Sequence, residues 1–156
     1  MNALTRPFTL LDRLAPALAP LALLALRFGL AVPFFRSGLT KWEGPGRISD
    51  SAIYLFREEF RLHLFGYELP YPMPVLMAHA SGIAELLLPV LLVLGLGTRV
   101  AALGLLLMTA IIQITIPDGW ANFHLPWAAM ALALVSLGSG PFSVDTWLMR
   151  PGRRAG

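Results

Sequence analysis

The stretch MPVLMAHASGIAELLLPVLLVLG, residues 73–95, is long and apolar enough to cross a lipid bilayer. As a helix rising about 1.5 Å per residue, it exceeds the ~30 Å hydrocarbon core. One carboxylate, Glu85, lies near its middle. An ionisable group at that depth costs a few kcal/mol, so it is expected to face the interior of a bundle and to have a partner. The stretch therefore predicts an integral membrane protein whose other helices enclose Glu85.

The composition supports a membrane protein and excludes several other classes. Of the 156 residues, 56% are hydrophobic and 13% are charged, whereas soluble domains carry about 25% charged residues. The net charge of +3 rests on few charges and does not indicate nucleic-acid binding. The absence of cysteine excludes disulfides and thiolate metal sites. With only three scattered histidines, no tight metal site is predicted.

Hydropathy predicts an all-α membrane protein, a four-transmembrane-helix bundle in one domain over residues 1–156. An additional amphipathic interfacial helix is expected between spans 1 and 2, from about Ser49 to Phe65, because Ile53, Phe56, Phe60 and Leu64 recur at helical spacing. The predicted boundaries are span 1 at about 14–38, a connection at 39–72, span 2 at 73–95, span 3 at 100–116, span 4 at 123–137 and a tail at 138–156.

The basic residues predict the orientation. Six lie on the side of the termini (Arg6, Arg13, Arg99, Arg150, Arg153 and Arg154), and four lie on the other side (Lys41, Arg47, Arg57 and Arg61). Because cytoplasmic segments carry the excess of Lys and Arg, both termini are expected in the cytoplasm, and the 39–72 connection outside, in the cytoplasmic (inner) membrane.

Two polar groups are predicted at similar depth inside the membrane. Counting residues along each span places Arg27 of span 1 within about 5 Å in height of Glu85, so the two are expected to pair. The pair can be purely structural, setting helix register, or it can line a cavity for a quinone headgroup, a proton or another polar ligand. Both interpretations stay open on the sequence alone.

A second polar cluster is predicted at the outer mouth of the bundle. Histidines in such positions can equally be hydrogen-bonded structural residues, and tryptophans can belong to an interfacial aromatic belt. The cluster comprises Arg36, Lys41, Trp42, His79, Gln113 and His124.

Three segments resemble the DoxX family of small membrane proteins. They are LRFGLAVPFFRSGLTKW (residues 26–42), SGIAELLLPVLLVLGLGTR (81–99) and LGSGPFSVDTWL (137–148), so the resemblance covers about residues 20–148. It implies a four-helix membrane bundle, and the family includes small subunits of archaeal thiosulfate:quinone oxidoreductase. The positions of interest that it implies are Arg27, Lys41, Glu85 and Asp145.

Three functions are compatible with these patterns. The first is an accessory subunit of a membrane oxidoreductase that binds a quinone or a partner subunit and is not expected to be catalytic alone. The second is a structural anchor that recruits a partner through residues 39–72. The third, a small transporter, is less attractive because no inverted repeat is visible. A homo-oligomer is compatible with all three.

Overall fold

Four long apolar helices make up most of the computed structural model, which describes residues 6–149. Helix α1 spans Arg6–Thr40, α3 spans Pro74–Leu94, α4 spans Thr98–Thr115, and α5 spans Leu125–Leu137. A 3₁₀ turn (Pro117–Gly119) and a π-helical turn (Trp120–His124) lead into α5. The stretches long and apolar enough to cross a membrane are Leu11–Thr40, Pro74–Leu94, Thr98–Thr115 and Pro117–Leu137. The predicted four-span helical fold is confirmed.

The first and last spans are longer than predicted. Helix α1 already begins at Arg6, with Pro16 and Pro20 inside it, and it continues two residues past Gly38. The expected turn before span 4 is helical, which extends that span back to Pro117. The first five residues and residues 150–156, including Arg150, Arg153 and Arg154, lie outside the described part of the chain.

The connection between α1 and α3 contains a short helix and two hairpins. Strands β1 (Trp42–Gly44) and β2 (Arg47–Ile48) pair, followed by helix α2 (Asp50–Tyr54) and a π-helical turn (Leu55–Glu59). Strands β3 (Arg61–Leu64) and β4 (Tyr67–Pro70) form the second hairpin. The predicted amphipathic helix is therefore shorter than expected, because the backbone becomes extended at Phe60 and the chain reverses at Gly66.

Small residues allow the four helices to pack closely around one apolar core. Helix α1 packs mainly on α3, and α4 packs mainly on α5. At Gly38 a Cβ would come within 3.0 Å of the Glu85 backbone, so α1 and α3 touch almost backbone to backbone. The core itself is aliphatic, with one phenylalanine, and consists of Leu30, Ala31, Phe34, Leu92, Ala101, Ala102, Leu105, Ala131 and Leu134.

The segment after α5 folds back onto the α3–α4 turn. It contains the short helix α6, Val144–Leu148, whose first turn donates a backbone hydrogen bond from Asp145 to the Gly95 carbonyl. Gly95 has a left-handed φ of 68°, and any Cβ there would overlap Ser143. A glycine is therefore required both for the turn and for the close approach of this segment.

Candidate functional site

Glu85 faces the interior of the bundle, as its helical spacing predicts. On α3 the residues Ala78, Gly82, Glu85 and Pro89 are all buried, and Glu85 is only 4% exposed. The opposite face of the same helix, with Ile83 and Leu87, is exposed as a lipid-facing surface would be. Burial of this carboxylate requires a partner for each of its oxygens.

Lys41 is the ionic partner of Glu85. It directly follows α1, and its Nζ lies 2.6 Å from Oε2 of Glu85. Ser81 donates a hydrogen bond to the other carboxylate oxygen at 2.9 Å, and Lys41 also donates to Ser37 Oγ at 3.1 Å. Both carboxylate oxygens are satisfied, and the lysine carries the compensating charge.

The predicted pairing of Arg27 with Glu85 is wrong. The Arg27 guanidinium is buried, but it donates to backbone carbonyls: Leu92 at 2.8 Å, Val93, Ser139 at 3.2 Å and Phe142 at 2.6 Å. We call these four carbonyls the carbonyl cradle. Helix C-termini have carbonyls without intrahelical partners and favour a cation, so the end of α3 is a natural site for an arginine.

Asp145, which the family resemblance indicated, lies beside this cradle and caps α4. Its carboxylate accepts hydrogen bonds from the backbone amides of Gly97 at 2.7 Å and Thr98 at 2.9 Å. Burial raises the pKa of Asp145, but these amides, the Thr98 side chain and the nearby Arg27 charge outweigh burial and bring the pKa below its usual value. The ionised carboxylate of Asp145 therefore stabilises the first turn of α4.

The predicted outer cluster is divided into separate contacts. His124 Nδ1 lies 2.7 Å from Gln113 Oε1, and His79 Nδ1 lies 2.7 Å from the Val75 carbonyl. The Trp42 and His79 rings meet edge to face at 6.3 Å, and Lys41 pairs with Glu85. Arg36 is exposed, with no hydrogen bond or ion pair to the described side chains. The cluster is thus not one site.

A cavity of about 780 Å³ lies among the four helices and the 39–72 connection. Its wall is mainly apolar and aromatic, and it includes Phe34, Phe56, Phe60, Met108, Ile112 and Trp127. Of the predicted site residues, Lys41, Glu85 and His124 line it, whereas Arg27, Arg36, Trp42, His79 and Gln113 do not. Ligand sites in proteins combine such apolar walls with a few convergent polar groups.

Two further polar residues on this wall are not indicated by the sequence patterns. Tyr71 and Thr115 both line the cavity, and their hydroxyl oxygens are 2.5 Å apart. Burial raises the pKa of Tyr71, partly offset by the hydrogen bond with Thr115. The hydroxyl pair ties the 39–72 connection to the last turn of α4. Tyr71 resembles an interfacial aromatic residue in sequence, and only the fold brings it to Thr115.

Fold and site together define a small four-span helical bundle with a half-open, mainly apolar cavity that reaches a buried ion pair. A family model described as DoxX matches residues 22–118, more than half of the chain, and the chain belongs to the DoxX family. The match includes Lys41 and Glu85 but ends before α5, so the resemblance of residues 137–148 lies outside it.

The chain is also similar to an uncharacterized protein of Haemophilus influenzae. The two are 29% identical over 141 residues, which cover 83% of this chain and 84% of the relative. No solved structure matches the chain.

Proposed function

We propose that the bundle binds a lipophilic molecule with a polar headgroup in the 780 Å³ cavity, and that the ligand is a quinone. The cavity volume lies within the roughly 300–1,000 Å³ range of small-molecule sites. The observation that supports this proposal most directly is the Lys41–Glu85 pair on a mainly apolar wall. Ionisable residues inside a membrane bundle are energetically costly, and they commonly mark a ligand or ion site.

The polar residues of the cavity fit a quinone headgroup. A quinone carbonyl can accept a hydrogen bond from Lys41 Nζ or from a serine hydroxyl, and a quinol hydroxyl can donate to Glu85. The aromatic walls around Phe34 and Trp127 suit a flat ring. When bound, the quinone would supply the electron-carrying chemistry. The chain itself has no cysteine for an iron–sulfur cluster.

This role is accessory to a partner oxidoreductase in the same membrane. The bundle would hold the quinone, keep its headgroup away from water and position a carboxylate near it. Reduction or oxidation of the quinone would then take place at cofactors of the partner subunit. The proposal is therefore a quinone-binding membrane subunit rather than an enzyme in its own right.

The direct test is a binding titration on the purified protein in detergent. Decylubiquinone is added while the tryptophan fluorescence is followed in a variant with Trp42, Trp120 and Trp147 replaced by phenylalanine, so that the emission comes from the cavity residue Trp127, and saturable quenching is expected. Ala84→Leu adds bulk on the cavity wall, and about ten-fold weaker binding is expected from that loss of space. The matched control, Ala110→Leu, adds the same bulk to an exposed position of α4 outside the lining.

Two outcomes would contradict the proposal. One is quenching that does not saturate or that is equal in the Ala84→Leu and Ala110→Leu variants. The other is equally effective competition by a decyl chain without a quinone ring, which would identify a site for lipid tails only. A quinone-specific effect that is also weakened by Glu85→Gln would place the headgroup at the ion pair.

The second candidate is a structural anchor that recruits a protein partner through residues 39–72. It is favoured by the exposed charged side chains of the π-helical turn, Arg57, Glu58 and Glu59. Purification in mild detergent followed by mass spectrometry tests it. The partner should be lost when these three residues are replaced by alanine, while the Ala84→Leu variant should retain it.

A further inference from the structure

The hairpin β3–β4 has one polar and one apolar face. Cross-strand partners share a face, and His63 pairs with Glu68, whereas Leu62 pairs with Leu69 and Leu64 with Tyr67. His63 Nε2 also lies 3.7 Å from the Glu68 carboxylate, consistent with a common polar face. The hairpin is therefore amphipathic, like the interfacial helix that the sequence predicts at this point of the chain.

The bundle leaves most of the apolar side of this hairpin uncovered. Phe65, at the turn, is 98% exposed, Tyr67 is 71% exposed and Leu69 is 46% exposed. Phe65 also has a left-handed φ of 53°, which a phenylalanine rarely adopts. An aromatic side chain that is almost fully exposed is unfavourable in water, and an apolar surrounding would remove that cost.

Contacts with the end of α4 limit how far the hairpin extends from the bundle. His63 Nδ1 lies 3.2 Å from the Ile114 carbonyl, and Tyr71, just after β4, is bonded to Thr115. Both contacts fall on consecutive residues in the last turn of α4, a membrane span. The hairpin is thus attached at the end of a span, where the helix is expected to leave the hydrocarbon region.

The turn must then lie at the level of the lipid headgroups. Phe65 is two residues beyond His63, a reach of about 7 Å along a strand. The headgroup layer of one leaflet is itself about 5–7 Å thick, since the bilayer measures ~40–45 Å with headgroups and ~30 Å without. Phe65 therefore cannot project far beyond the membrane surface from its attachment at α4.

Exposed apolar residues of α3 follow the hairpin closely along the chain. Met73, at the start of α3, is 63% exposed, and Leu76 in its first turn is 53% exposed. These residues follow β4 directly. Exposed apolar residues on a hairpin and on the membrane span that follows it fit a lipid surface better than they fit a soluble partner.

We propose that the β3–β4 hairpin is a membrane-surface anchor, with Phe65 and Tyr67 inserted among the lipid headgroups beside α4. The occupant of this surface is the bilayer itself. The anchor holds the 39–72 connection, including the cavity residue Tyr71, against the bundle. It is independent of the ligand in the cavity.

The absence of cysteine makes this proposal directly testable. Phe65→Cys creates a unique site for an environment-sensitive fluorophore, and the labelled protein is reconstituted in phosphatidylcholine vesicles. A blue-shifted emission is expected. Quenching by lipids with a nitroxide near the acyl carbonyl should be at least about two-fold stronger than for a label in water, because position 65 is expected to lie at the membrane interface.

Two matched variants calibrate the measurement. Glu68→Cys lies on the polar face of the same hairpin and should report water, with strong quenching by aqueous iodide. Leu107→Cys, an exposed position in the middle of α4, should report the hydrocarbon core. Folding of each variant is checked by its elution as a single species and by its helical circular dichroism.

The other outcomes overturn the proposal. A red-shifted Phe65→Cys label quenched mainly by iodide would show that the hairpin projects into water and is free for a soluble partner. A blue-shifted label insensitive to both quenchers would show that protein, such as a second copy of the chain, covers the tip.

Discussion

Glu85 and Lys41 form the buried ion pair that the helices enclose, and the energetic consequence can be measured. Removal of one member leaves the other charge without compensation. We expect Lys41→Met to destabilise the protein by about 3 kcal/mol, at the low end of the range for buried pairs because Lys41 keeps 14% side-chain exposure. The double variant Lys41→Met/Glu85→Gln should recover at least about 1 kcal/mol of this loss. Reversible unfolding in mixed micelles, followed by circular dichroism, gives the coupling energy.

The Lys41 and Glu85 variants form a double-mutant cycle, and a second cycle with Arg27 in place of Lys41 provides the control. Arg27 binds carbonyls at Leu92 and Val93, seven and eight residues beyond Glu85, which is about 10–12 Å along the helix axis. Effects of Arg27→Gln and Glu85→Gln should therefore add within about 0.5 kcal/mol. Strong coupling in this cycle and none between Lys41 and Glu85 would contradict the observed pairing.

The sequence predicted the environment of Glu85 but not its partner. Helical spacing on α3 was sufficient to place the carboxylate inside, because small and polar residues share its face. The partner depends on the vertical offset between α1 and α3, which residue counting along separate spans cannot determine. Lys41 also lay beyond the predicted end of span 1, whereas the helix continues to Thr40 and carries the lysine to Glu85.

At the scale of elements, the start of α4 depends on a carboxylate from a distant segment. Asp145 accepts from the amides of Gly97 and Thr98, a negative charge at the positive end of the helix dipole. The charge at a helix N-terminus contributes about 0.3–1 kcal/mol, and asparagine offers one acceptor oxygen where the two amides use two. We expect Asp145→Asn to lower stability by this order at pH 7, as measured by thermal unfolding in detergent.

The pH dependence of that loss has a defined sign. The pKa of Asp145 is lower in the folded protein than its usual value, so the ionised cap stabilises the fold above the unfolded pKa near ~3.9. This contribution is lost as the pH falls through the lowered folded pKa. The stability difference between wild type and Asp145→Asn should therefore shrink below about pH 3.9. The exposed control, Asp118→Asn, should change stability at pH 7 by less than about 0.5 kcal/mol. A destabilisation by Asp145→Asn that does not depend on pH would contradict the role of the ionised Asp145 as the cap of α4.

Both hairpins were missed by the sequence analysis, and the second one overlaps the predicted amphipathic helix. Apolar residues at Ile53, Phe56 and Phe60 have helical spacing, and they pack together beside α3 in the structure. The same spacing extended to Leu64, although this residue belongs to β3. A short apolar run fits a helix or a strand equally well, and the turn at Phe65–Gly66 decides between them.

For the whole molecule, the four spans followed from hydropathy because each is a long apolar segment bounded by turns. The direction in which they cross the membrane stays a prediction. The excess of Arg and Lys near the termini predicts that both termini lie in the cytoplasm.

Single cysteines test this orientation in intact bacterial cells. A membrane-impermeant maleimide should label Ser51→Cys, in the 39–72 connection, from outside. Trp147→Cys, 70% exposed in α6, should react only after the cells are permeabilised. The reverse pattern would show that the protein is inserted the other way round.

The carbonyl cradle of Arg27 has a consequence for biosynthesis. Two of its acceptors, Ser139 and Phe142, are 112 and 115 residues downstream of the arginine. At ~5–20 residues per second, a ribosome needs roughly 6–23 s to make them after it has added Arg27 to the chain. During that interval the guanidinium of α1 must stay hydrated or sheltered by the insertion machinery. A nascent chain halted before residue 139 would therefore lack two of the four carbonyl acceptors of Arg27.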